Sequence, residues 1–407
     1  MKTALVHDYL AQAGGGERVV EVLHDLYPDS PLYTSIYDRA ATFKSFAEMD
    51  VRTSFLQHSP FSSKLLHKFA LPLFPRAFEQ FDLSEFDLVI SSSSSFAKGV
   101  ITRPETCHVC YCHTPPRFAW RQHEYLSRGR ASRMLAPLLQ DILTNLRNWD
   151  INSAQRVDYF IANSHNIARR IKKYYRRDAT VIYPPVPTDR FQVAPRCEVG
   201  DYFLVVSRLV GYKRVDLAVE ACNHLDIPLH VIGTGPEIKA LRKIAGRKTQ
   251  ILGALSDKQV RSELSHCRAL IFPGEDDFGM TPVEAMASGR PVIAYHAGGA
   301  LETVVEGHTG LFFHEQTMSS LASALVASRS MQFHADELRA HARKFDIRVF
   351  KSEMQRFVDN ALLDHRLSMD TQHTIPAGHD QEEMRLRIPV DERALALPSM
   401  ALHVDPT

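Results

Sequence analysis

The sequence predicts a parallel α/β fold divided into two domains, and three observations support this prediction. The chain has 407 residues, a length that suits two domains better than one. Short apolar runs alternate along it with longer segments of helical spacing, as in sheets whose parallel strands are joined by helices. A proline-rich break, VIYPPVP at residues 181–187, separates two such alternating series.

The first series begins with an apolar strand at residues 3–6, a glycine loop at 14–16 and a helix over 17–26. The same pattern predicts further strands at residues 87–91, 109–112 and 159–162, and a helix over 134–157. The second series predicts strands at 203–206, 229–232, 250–252, 269–272 and 291–294, and helices over 215–224, 237–245 and 282–287.

The two series define a first Rossmann-like domain over residues 1–190 and a second one over residues 200–344, joined by the proline-rich linker. From residue 365 to 407 the chain mixes His, Pro, Glu, Arg and Met without clear periodicity. Such a composition is typical of a tail without fixed structure.

Composition narrows the class of protein. The formal net charge of +1 gives no overall attraction to nucleic acid, so no nucleic-acid partner is expected. Three of the six cysteines crowd into one segment and the others are scattered, unlike a disulfide framework. The pattern contains neither a signal-peptide layout nor the ~18 to 20 apolar residues that span a bilayer. We therefore expect a cytoplasmic protein with reduced thiols.

The strongest functional signal is the segment PGEDDFGMTPVEAM at residues 273–286. Asp276 is predicted in a loop after a strand, and Glu284 in the first turn of the next helix. Free amide groups and the positive end of the helix dipole meet in such a turn. A carboxylate there can accept hydrogen bonds from a ribose diol, and the loop acid can contact sugar hydroxyls. Either acid alone would be better explained as solvated or as a dipole partner, but the full pattern favours a site.

A pair of cations follows the predicted strand at residues 203–206. Arg208 and Lys213 lie in the loop just past its carboxyl end, where open α/β sheets form their ligand crevice. A guanidinium offers a planar fork to phosphate oxygens, and an ammonium a compact charge. Two surface cations in a loop are common, so this motif is weak alone. Together they could neutralise a diphosphate leaving group.

Glycine-rich turns follow three predicted strands. Gly15 and Gly16 open a helix, so that backbone amides can hold an anion, but the run matches neither a dinucleotide fingerprint nor a P-loop. A flexible turn explains that run equally well. The turn GTGP beginning at Gly233 and the pair Gly298–Gly299 ahead of Glu302 are similar turns, expected along the same cleft.

The segment CHVCYCH at residues 107–113 superficially suggests a metal site. Alternation along a strand splits its ligands between two faces, and no second ligand pair matches them. We therefore interpret the cysteines as strand packing and expect no metal. His113 ends the strand ahead of TPPRFAW at residues 114–120, where it could line an active site, although a histidine is more often structural.

Two segments are basic and amphipathic, SKLLHKFALPLFPR at residues 63–76 and RRIKKYYRR at residues 169–177. Such segments suit an interface with anionic lipid. A solvated helix face explains either one alone. Because two such segments lie in one predicted domain, contact with an anionic membrane surface is as well supported as two solvated helix faces.

The acidic pair, the two cations, the GGGE loop and the segment GGALE at residues 298–302 together resemble the retaining GT-B glycosyltransferases of family 4, group 1, which include bacterial mannosyltransferases. The segments DLVISSSSSFAKGV at 87–100 and YCHTPPRFAW at 111–120 are similar to a branch that makes O-antigen and exopolysaccharide, where GDP-mannose is the common donor. The resemblance covers about residues 1–364. It implies two Rossmann-like domains facing a central cleft, with a helix at 345–364 crossing back to the first domain.

The resemblance also implies residue roles. Glu284 would bind the nucleotide ribose, Arg208 and Lys213 the diphosphate, and His113 would lie beside the transferred sugar. Asp276 stands where the family usually has Glu, and its side chain is shorter. The implied catalytic residues are His113, Asp276 and Glu284; the donor-binding residues are Gly15, Gly16, Arg208, Lys213, Gly233, Glu275, Phe278, Gly279, Met280 and Thr281; the acceptor-side residues are Arg117 and Trp120.

The implied activity is transfer of a sugar with retention of configuration, without cofactor or metal, which agrees with the lack of a D-x-D motif in the expected place. The expected acceptor is a saccharide linked to polyprenyl diphosphate, reached by a peripheral enzyme at the inner face of the plasma membrane. The alternatives are a UDP-sugar donor, a nucleotide-sugar epimerase that needs no acceptor, and a non-catalytic nucleotide-sugar-binding protein.

Overall fold

Two parallel β-sheets organise the protein in a computed structural model, which describes residues 1–59, 71–121 and 136–373. The first sheet has seven strands: β1 Thr3–His7, β2 Leu32–Thr34, β3 Val51–Thr53, β4 Leu88–Ser93, β5 Cys107–Cys112, β6 Tyr159–Ala162 and β7 Ala179–Val181. Its helices are α1 Gly15–Leu26, α2 Phe74–Glu79, α3 Arg117–Trp120, α4 Ala136–Gln155 and α5 His165–Tyr175.

The second sheet has six strands: β8 Phe203–Val206, β9 Leu229–Ile232, β10 Thr249–Gly253, β11 Ala269–Phe272, β12 Val292–Tyr295 and β13 Gly310–Phe313. Its helices are α6 Val215–His224, α7 Ile238–Ile244, α8 Asp257–His266, α9 Met280–Ala287, α10 Ala300–Thr303, α11 Met318–Ser330 and α12 Ala335–Ala342, and the last helix of the chain is α13 Ile347–His373. The predicted pair of parallel α/β sheets is thus confirmed.

The strand order in each sheet reverses beside the first strand of that half. The orders are β3-β2-β1-β4-β5-β6-β7 and β10-β9-β8-β11-β12-β13. In open parallel sheets ligands bind beyond the carboxyl ends of the strands at such a switch point. The first switch point lies between β1 and β4, and the second between β8 and β11. Their loops contain most of the predicted site residues.

The apolar strand residues are buried because helices cover both faces of each sheet. Leu5, Val109 and Tyr111 of the first sheet share a core with Phe350 and Met354 of α13, so this helix packs on the first sheet after the chain has completed the second. The family resemblance implied a helix over residues 345–364, whereas α13 begins at Ile347 and continues to His373.

No helix among residues 1–59, 71–121 and 136–373 combines the length and the apolar character needed to cross a bilayer.

The predicted elements differ from the observed ones mainly at their ends, but the sequence pattern missed whole helices, among them α8 and α11. β4 extends to Ser93, so the first serines of the run lie in the strand. The sequence pattern missed four short strands, β2, β3, β7 and β13, each of three or four residues. The three-residue strands β2, β3 and β7 contain too few residues for a period of two to be recognised.

Candidate active site in the cleft

The glycine loop places helix-start amides at the first switch point. Helix α1 begins at Gly15, directly after the loop from β1, and Gly14 precedes it in extended conformation. A Cβ on Gly15 would lie 2.9 Å from Sδ of Met280, the first residue of α9 in the second half of the chain. A Cβ on Gly16 would lie 3.6 Å from the His7 ring and 3.7 Å from Nε2 of His113. Glycine therefore lets α1 approach both histidines and the opposite face of the cleft.

His113 follows β5 and lies at the first switch point, as its position at the strand end predicted. Its Nε2 is 2.7 Å from the Ser92 hydroxyl, and its backbone N–H donates to Ser93 at 2.8 Å. Burial and the nearby His7 lower the pKa of His113 to about 4. The imidazole is therefore neutral near pH 7.

The two predicted cations lie at the second switch point. Lys213 forms an ion pair with Asp276, and both side chains are largely buried. The Arg208 guanidinium is exposed and contacts neutral groups, donating to the Tyr212 hydroxyl at 2.9 Å and to Gln12 Oε1 at 3.4 Å. A Cβ on Gly274 would lie 2.8 Å from Cα of Lys213, so the cation loop and the acid loop are in contact.

The two acids that flank Asp276 bind arginines of the first half of the chain. Asp277 accepts from Arg117 at 2.5 Å and from Arg170 at 2.7 Å. Glu275 accepts from Arg170 at 2.8 Å and from Arg121 at 3.2 Å. We call Glu275, Asp277 and these three arginines the interdomain ion network. Because both acids of the network pair with these arginines, the Glu275 carboxylate is not free to bind a nucleotide-sugar donor in this state.

A second connection across the cleft uses Glu302 of the GGALE segment. Its carboxylate accepts from the backbone N–H groups of His165 at 2.8 Å and of Asn166 at 2.9 Å, at the start of α5. Its Oε2 also accepts from the Tyr183 hydroxyl at 3.2 Å. A carboxylate here satisfies amides that have no helical partner and lies at the positive end of the helix dipole.

Glu284 was predicted in the first turn of its helix, and this was wrong. Gly279 has φ +85°, which lets α9 begin at Met280 rather than residue 282, so Glu284 is the fifth helical residue. No side chain or amide of the described ranges donates a hydrogen bond to its carboxylate. Burial raises the pKa of Glu284 to about 7, although Arg18 opposes the shift. A carboxylate so poorly compensated is available to a ligand with hydroxyl donors.

Arg18 was not among the predicted site residues. It lies on α1 near Glu284 and interacts with Asp257 of the other half at 3.6 Å. It also donates to Glu21 at 2.9 Å and lies 4.2 Å from the Phe43 ring centroid. Its position directly after GGGE was the available sequence signal. A cation on a helix is too common for that position alone to identify a site residue.

The remaining predicted residues separate into cleft and packing positions. Thr281 is partly exposed beside Met280, whereas Phe278 is buried against Tyr183 and Phe345. Trp120 stacks on Tyr174 with centroids 4.2 Å apart and donates to Asp150 at 2.7 Å.

Two turn glycines support loops of the second switch point. A Cβ on Gly233, at φ +137°, would lie 1.8 Å from the Ser207 carbonyl oxygen, and one on Gly298 would lie 2.3 Å from the carbonyl oxygen of Asp276. These glycines let the turns pack directly on the cation and acid loops.

Comparison with known families matches both halves of the chain. Residues 13–190 match the family described as Glycosyltransferase Family 4, and residues 189–345 match Glycosyl transferases group 1. This chain belongs to the GT-B glycosyltransferases. The sucrose-phosphate synthase structure from Thermosynechococcus elongatus is similar to the GT-B fold seen here, with TM-score 0.68 and 15% identity over 89% of this chain and 100% of that one. Anabaena Alr3699/HepE, solved with UDP and glucose, gives TM-score 0.65 and 17% identity over 88% and 99%.

The sequence relatives of this GT-B chain are distant, and their matches cover only part of each chain. The uncharacterized glycosyltransferase MJ1178 of Methanocaldococcus jannaschii is 29% identical over 42% of this chain and 49% of that protein. Human alpha-1,3/1,6-mannosyltransferase ALG2 is 25% identical over 69% of this chain and 74% of its own length. The match thus spans about half the length of the first relative.

Metal-ligand side chains converge at one place in the described part of this GT-B chain. Cys107, Asp158 and His365 have ligand atoms within 4.8 Å of one another. Cys107 begins β5, so this group lies at the opposite end of that strand from His113. The cysteines of β5 are buried, as the strand-packing interpretation expected, and burial raises the pKa of Cys110 to about 12.

The basic segment at residues 169–177 lies mostly on α5, and its structure changes the membrane argument. The apolar face of the helix, Ile167, Ile171 and Tyr175, is buried in the protein. Arg170 belongs to the interdomain ion network, while Arg169 and Lys173 are exposed. Any lipid contact by α5 is therefore electrostatic rather than by insertion. The other basic segment, residues 63–76, lies outside the described residues as far as residue 70.

Proposed function

We propose that this GT-B protein is a retaining glycosyltransferase that moves mannose from GDP-mannose to a saccharide linked to polyprenyl diphosphate, in synthesis of a surface or exopolysaccharide. The observation that carries the proposal is the convergence of opposite chemistries in one cleft. Helix-start amides, a neutral histidine, two cations and an unpartnered carboxylate come from the segments that follow four strands, at two switch points.

The geometry supports a role for each group. In the proposed complex Arg208 and Lys213 bind the diphosphate, with the α1 amides at Gly15 and Gly16 opposite them. Glu284 accepts hydrogen bonds from the ribose hydroxyls. Asp276 is held by Lys213 beside the position proposed for the sugar. Its shorter side chain, compared with the usual Glu, is compensated by this ion pair.

In the proposed reaction the acceptor hydroxyl attacks the anomeric carbon from the face that the diphosphate leaves. The new bond joins the acceptor oxygen to that carbon while the bond to the phosphate oxygen breaks. The departing phosphate takes the acceptor proton, so no protein nucleophile is needed. Arg208 and Lys213 stabilise the negative charge that develops on the diphosphate.

Two observations bear on the donor. The ALG2 relatives, 24–26% identical, are named alpha-1,3/1,6-mannosyltransferases, and they support mannose. The Anabaena structure was solved with UDP-glucose, and this keeps a UDP-sugar as the second candidate. The proposed acceptor places the enzyme peripherally at the inner membrane face, with the exposed cations of α5 directed to anionic lipid.

A transfer assay with purified protein tests the proposal. The protein is incubated with a panel of GDP- and UDP-sugars, with and without a polyprenyl-diphosphate saccharide. We expect transfer from GDP-mannose that needs acceptor and continues in excess chelator, and an α-linked product by NMR. Product formed without acceptor would indicate an epimerase. Thermal stabilisation by donor without any turnover would indicate a binding protein. Activity lost in chelator and restored by magnesium would contradict the metal-free mechanism.

A further inference from the structure

A chain of buried polar side chains runs from the start of α1 to His113. Glu17 Oε2 accepts from the Gly14 N–H at 3.0 Å, and Glu17 Oε1 lies 3.8 Å from Nε2 of His7. Nδ1 of His7 lies 3.1 Å from both the carbonyl and the hydroxyl oxygen of Ser92. The Ser92 hydroxyl is in turn 2.7 Å from Nε2 of His113. His7, Glu17 and Ser92 are at most 3% exposed, so solvent does not replace these contacts.

The direction of each hydrogen bond follows from the atoms involved. The Ser92 carbonyl can only accept, so Nδ1 of His7 has the proton and donates to Ser92. The Ser92 hydroxyl oxygen then accepts from His7, and its own proton needs an acceptor because the group is buried. The Nε2 atom of His113 is that acceptor.

This direction decides the tautomer of His113. A neutral imidazole that accepts at Nε2 has its proton on Nδ1. Nδ1 of His113 has no hydrogen-bond partner within residues 1–59, 71–121 and 136–373, and it is not a buried atom. It is therefore free to donate to a ligand in the cleft.

We propose that Ser92 and His7 are positioning residues that hold His113 in its Nδ1–H form, with this N–H directed to the hydroxyls of the donor sugar. The role toward sugar rests on the proposed function, whereas the tautomer is a property of the protein alone. Fixing one ring nitrogen as acceptor leaves the other as a donor of defined direction, and small errors in such placement reduce turnover strongly.

The charged groups around His113 support the same arrangement. Burial opposes protonation of His7, but Glu17 and Asp8 raise the pKa of His7. Burial and then His7 lower the pKa of His113 to about 4, while Asp8 and Glu17 oppose this. The Tyr111 ring contacts His113 edge-on and brings no charge. Replacing His7 with a side chain that cannot be protonated is therefore expected to raise the pKa of His113.

The neighbouring strand position provides a matched control. The Ser91 hydroxyl lies 2.9 Å from Nε2 of His108, and both residues are fully buried. Ser91→Ala removes the same kind of serine–histidine contact from the same strand, on the face away from His113. It therefore measures the structural cost of such a loss without touching the positioning chain.

The test combines spectroscopy of the full chain without ligand and kinetics with GDP-mannose. In 15N-histidine-labelled protein, with His113 assigned by loss of its signals in His113→Gln, we expect the Nδ1–H tautomer and no protonation above pH 5. Ser92→Ala is expected to mix the tautomers and to lower kcat about 10- to 100-fold with little change in donor KM. Ser92→Thr keeps the hydroxyl and is expected to retain the Nδ1–H tautomer and the kcat of the unmodified protein. Ser91→Ala should leave tautomer and kcat unchanged.

His7→Gln gives a second, independent measurement. It should raise the pKa of His113 and move the acidic limb of kcat to higher pH by the same amount. An Nε2–H tautomer in the unmodified protein would overturn the proposal, as would a Ser92→Ala protein with unchanged tautomer and kcat. The spectra need no donor, so they decide the positioning even if the unmodified protein transfers no sugar, in which case only the proposed function fails.

Discussion

The two faces of the cleft hold their polar groups in different ways. On the first face, His7, Glu17 and Ser92 are buried and partnered with one another, so their contacts are complete without a ligand. On the second face, Arg208 is exposed and paired with neutral groups, and Glu284 has no hydrogen-bond donor in the described ranges. The polar groups of the first face are therefore positioned without a ligand, whereas Arg208 and Glu284 of the second face have charges that a ligand can compensate.

Under the proposed function, this difference lets one donor engage both faces. A nucleotide diphosphate carries anionic phosphates for Arg208 and a ribose diol for Glu284, so it supplies what these two groups lack, whereas Lys213 already pairs with Asp276. The sugar then reaches a first face whose atoms are already placed. Preorganised dipoles of that kind cost no reorganisation at the moment of reaction.

The largest expected effect is on the cation of the second face. Lys213→Ala should lower kcat by about a hundredfold or more, because one preorganised donor to the developing diphosphate charge is lost. Steady-state kinetics with the best donor measures this. Lys248→Ala is the control, since Lys248 forms an exposed ion pair with Asp226 in the same half of the chain. Near-normal turnover in folded Lys213→Ala would show that the second face does not stabilise the leaving group.

The outer surface of the first half is predicted to bind anionic lipid by charge alone. Arg169 and Lys173 are exposed one turn apart on α5, and each cation contributes about 1 kcal/mol near such a surface, so replacing both with Gln should weaken vesicle binding about 30-fold. Sedimentation with anionic and neutral vesicles measures it. Lys239→Gln with Lys243→Gln, exposed at the same spacing on α7, is the matched control. Equal binding to both vesicle types would reject the electrostatic account.

The unpartnered acid should make donor binding depend on pH. With the pKa of Glu284 at about 7, the carboxylate loses its charge as pH falls through 7, so kcat/KM for donor should fall about tenfold per unit below that value. Glu284→Gln should remove this limb and weaken donor binding at pH 8. A pH profile unchanged in the variant would remove Glu284 from the donor site.

Ionisation of Glu284 should favour donor binding but lower the stability of the protein without ligand. Its pKa is raised on folding, so the folded state binds more protons than the unfolded state between about pH 4.5 and 7, and stability is lost as pH rises through this window. Glu284→Gln should therefore raise the Tm of the protein without ligand at pH 8 and have little effect at pH 4.5. Thermal melts at both values check the sign, and a lower Tm at pH 8 would contradict it.

The smallest expected effect concerns the contacts between the faces. Asp277→Asn replaces two charged hydrogen bonds of the interdomain ion network with neutral ones and should raise donor KM about three- to tenfold, the scale of about 1 kcal/mol for that difference. Small-angle scattering should show a larger radius of gyration. Asp226→Asn, at an exposed pair, serves as control. An unchanged scattering profile and KM would show that this network does not control closure.

Local patterns in the sequence were sufficient for the two-sheet architecture and for the loops that bear the site. Runs such as residues 203–206 and 269–272 alternate with helical spacing, and these periodicities depend only on neighbours along the chain. The positions of Arg208, Lys213 and Asp276 past strand ends are local in the same sense. What these loops do chemically came from the resemblance to the GT-B family, and the individual roles remain predictions.

The tertiary structure decided which of these residues are free and which are committed. No pattern along the chain could indicate that Glu275 and Asp277 are paired with Arg117, Arg121 and Arg170, because those partners are more than 100 residues away. The same holds for Ser92, which contacts His7 and His113 only because β1, β4 and β5 are adjacent. The sequence by itself determined strands, helices and the loops between them, since these depend on short-range periodicity. Charge pairing, burial and the raised pKa of Glu284 depend on contacts between distant segments, and these exist only in the folded chain.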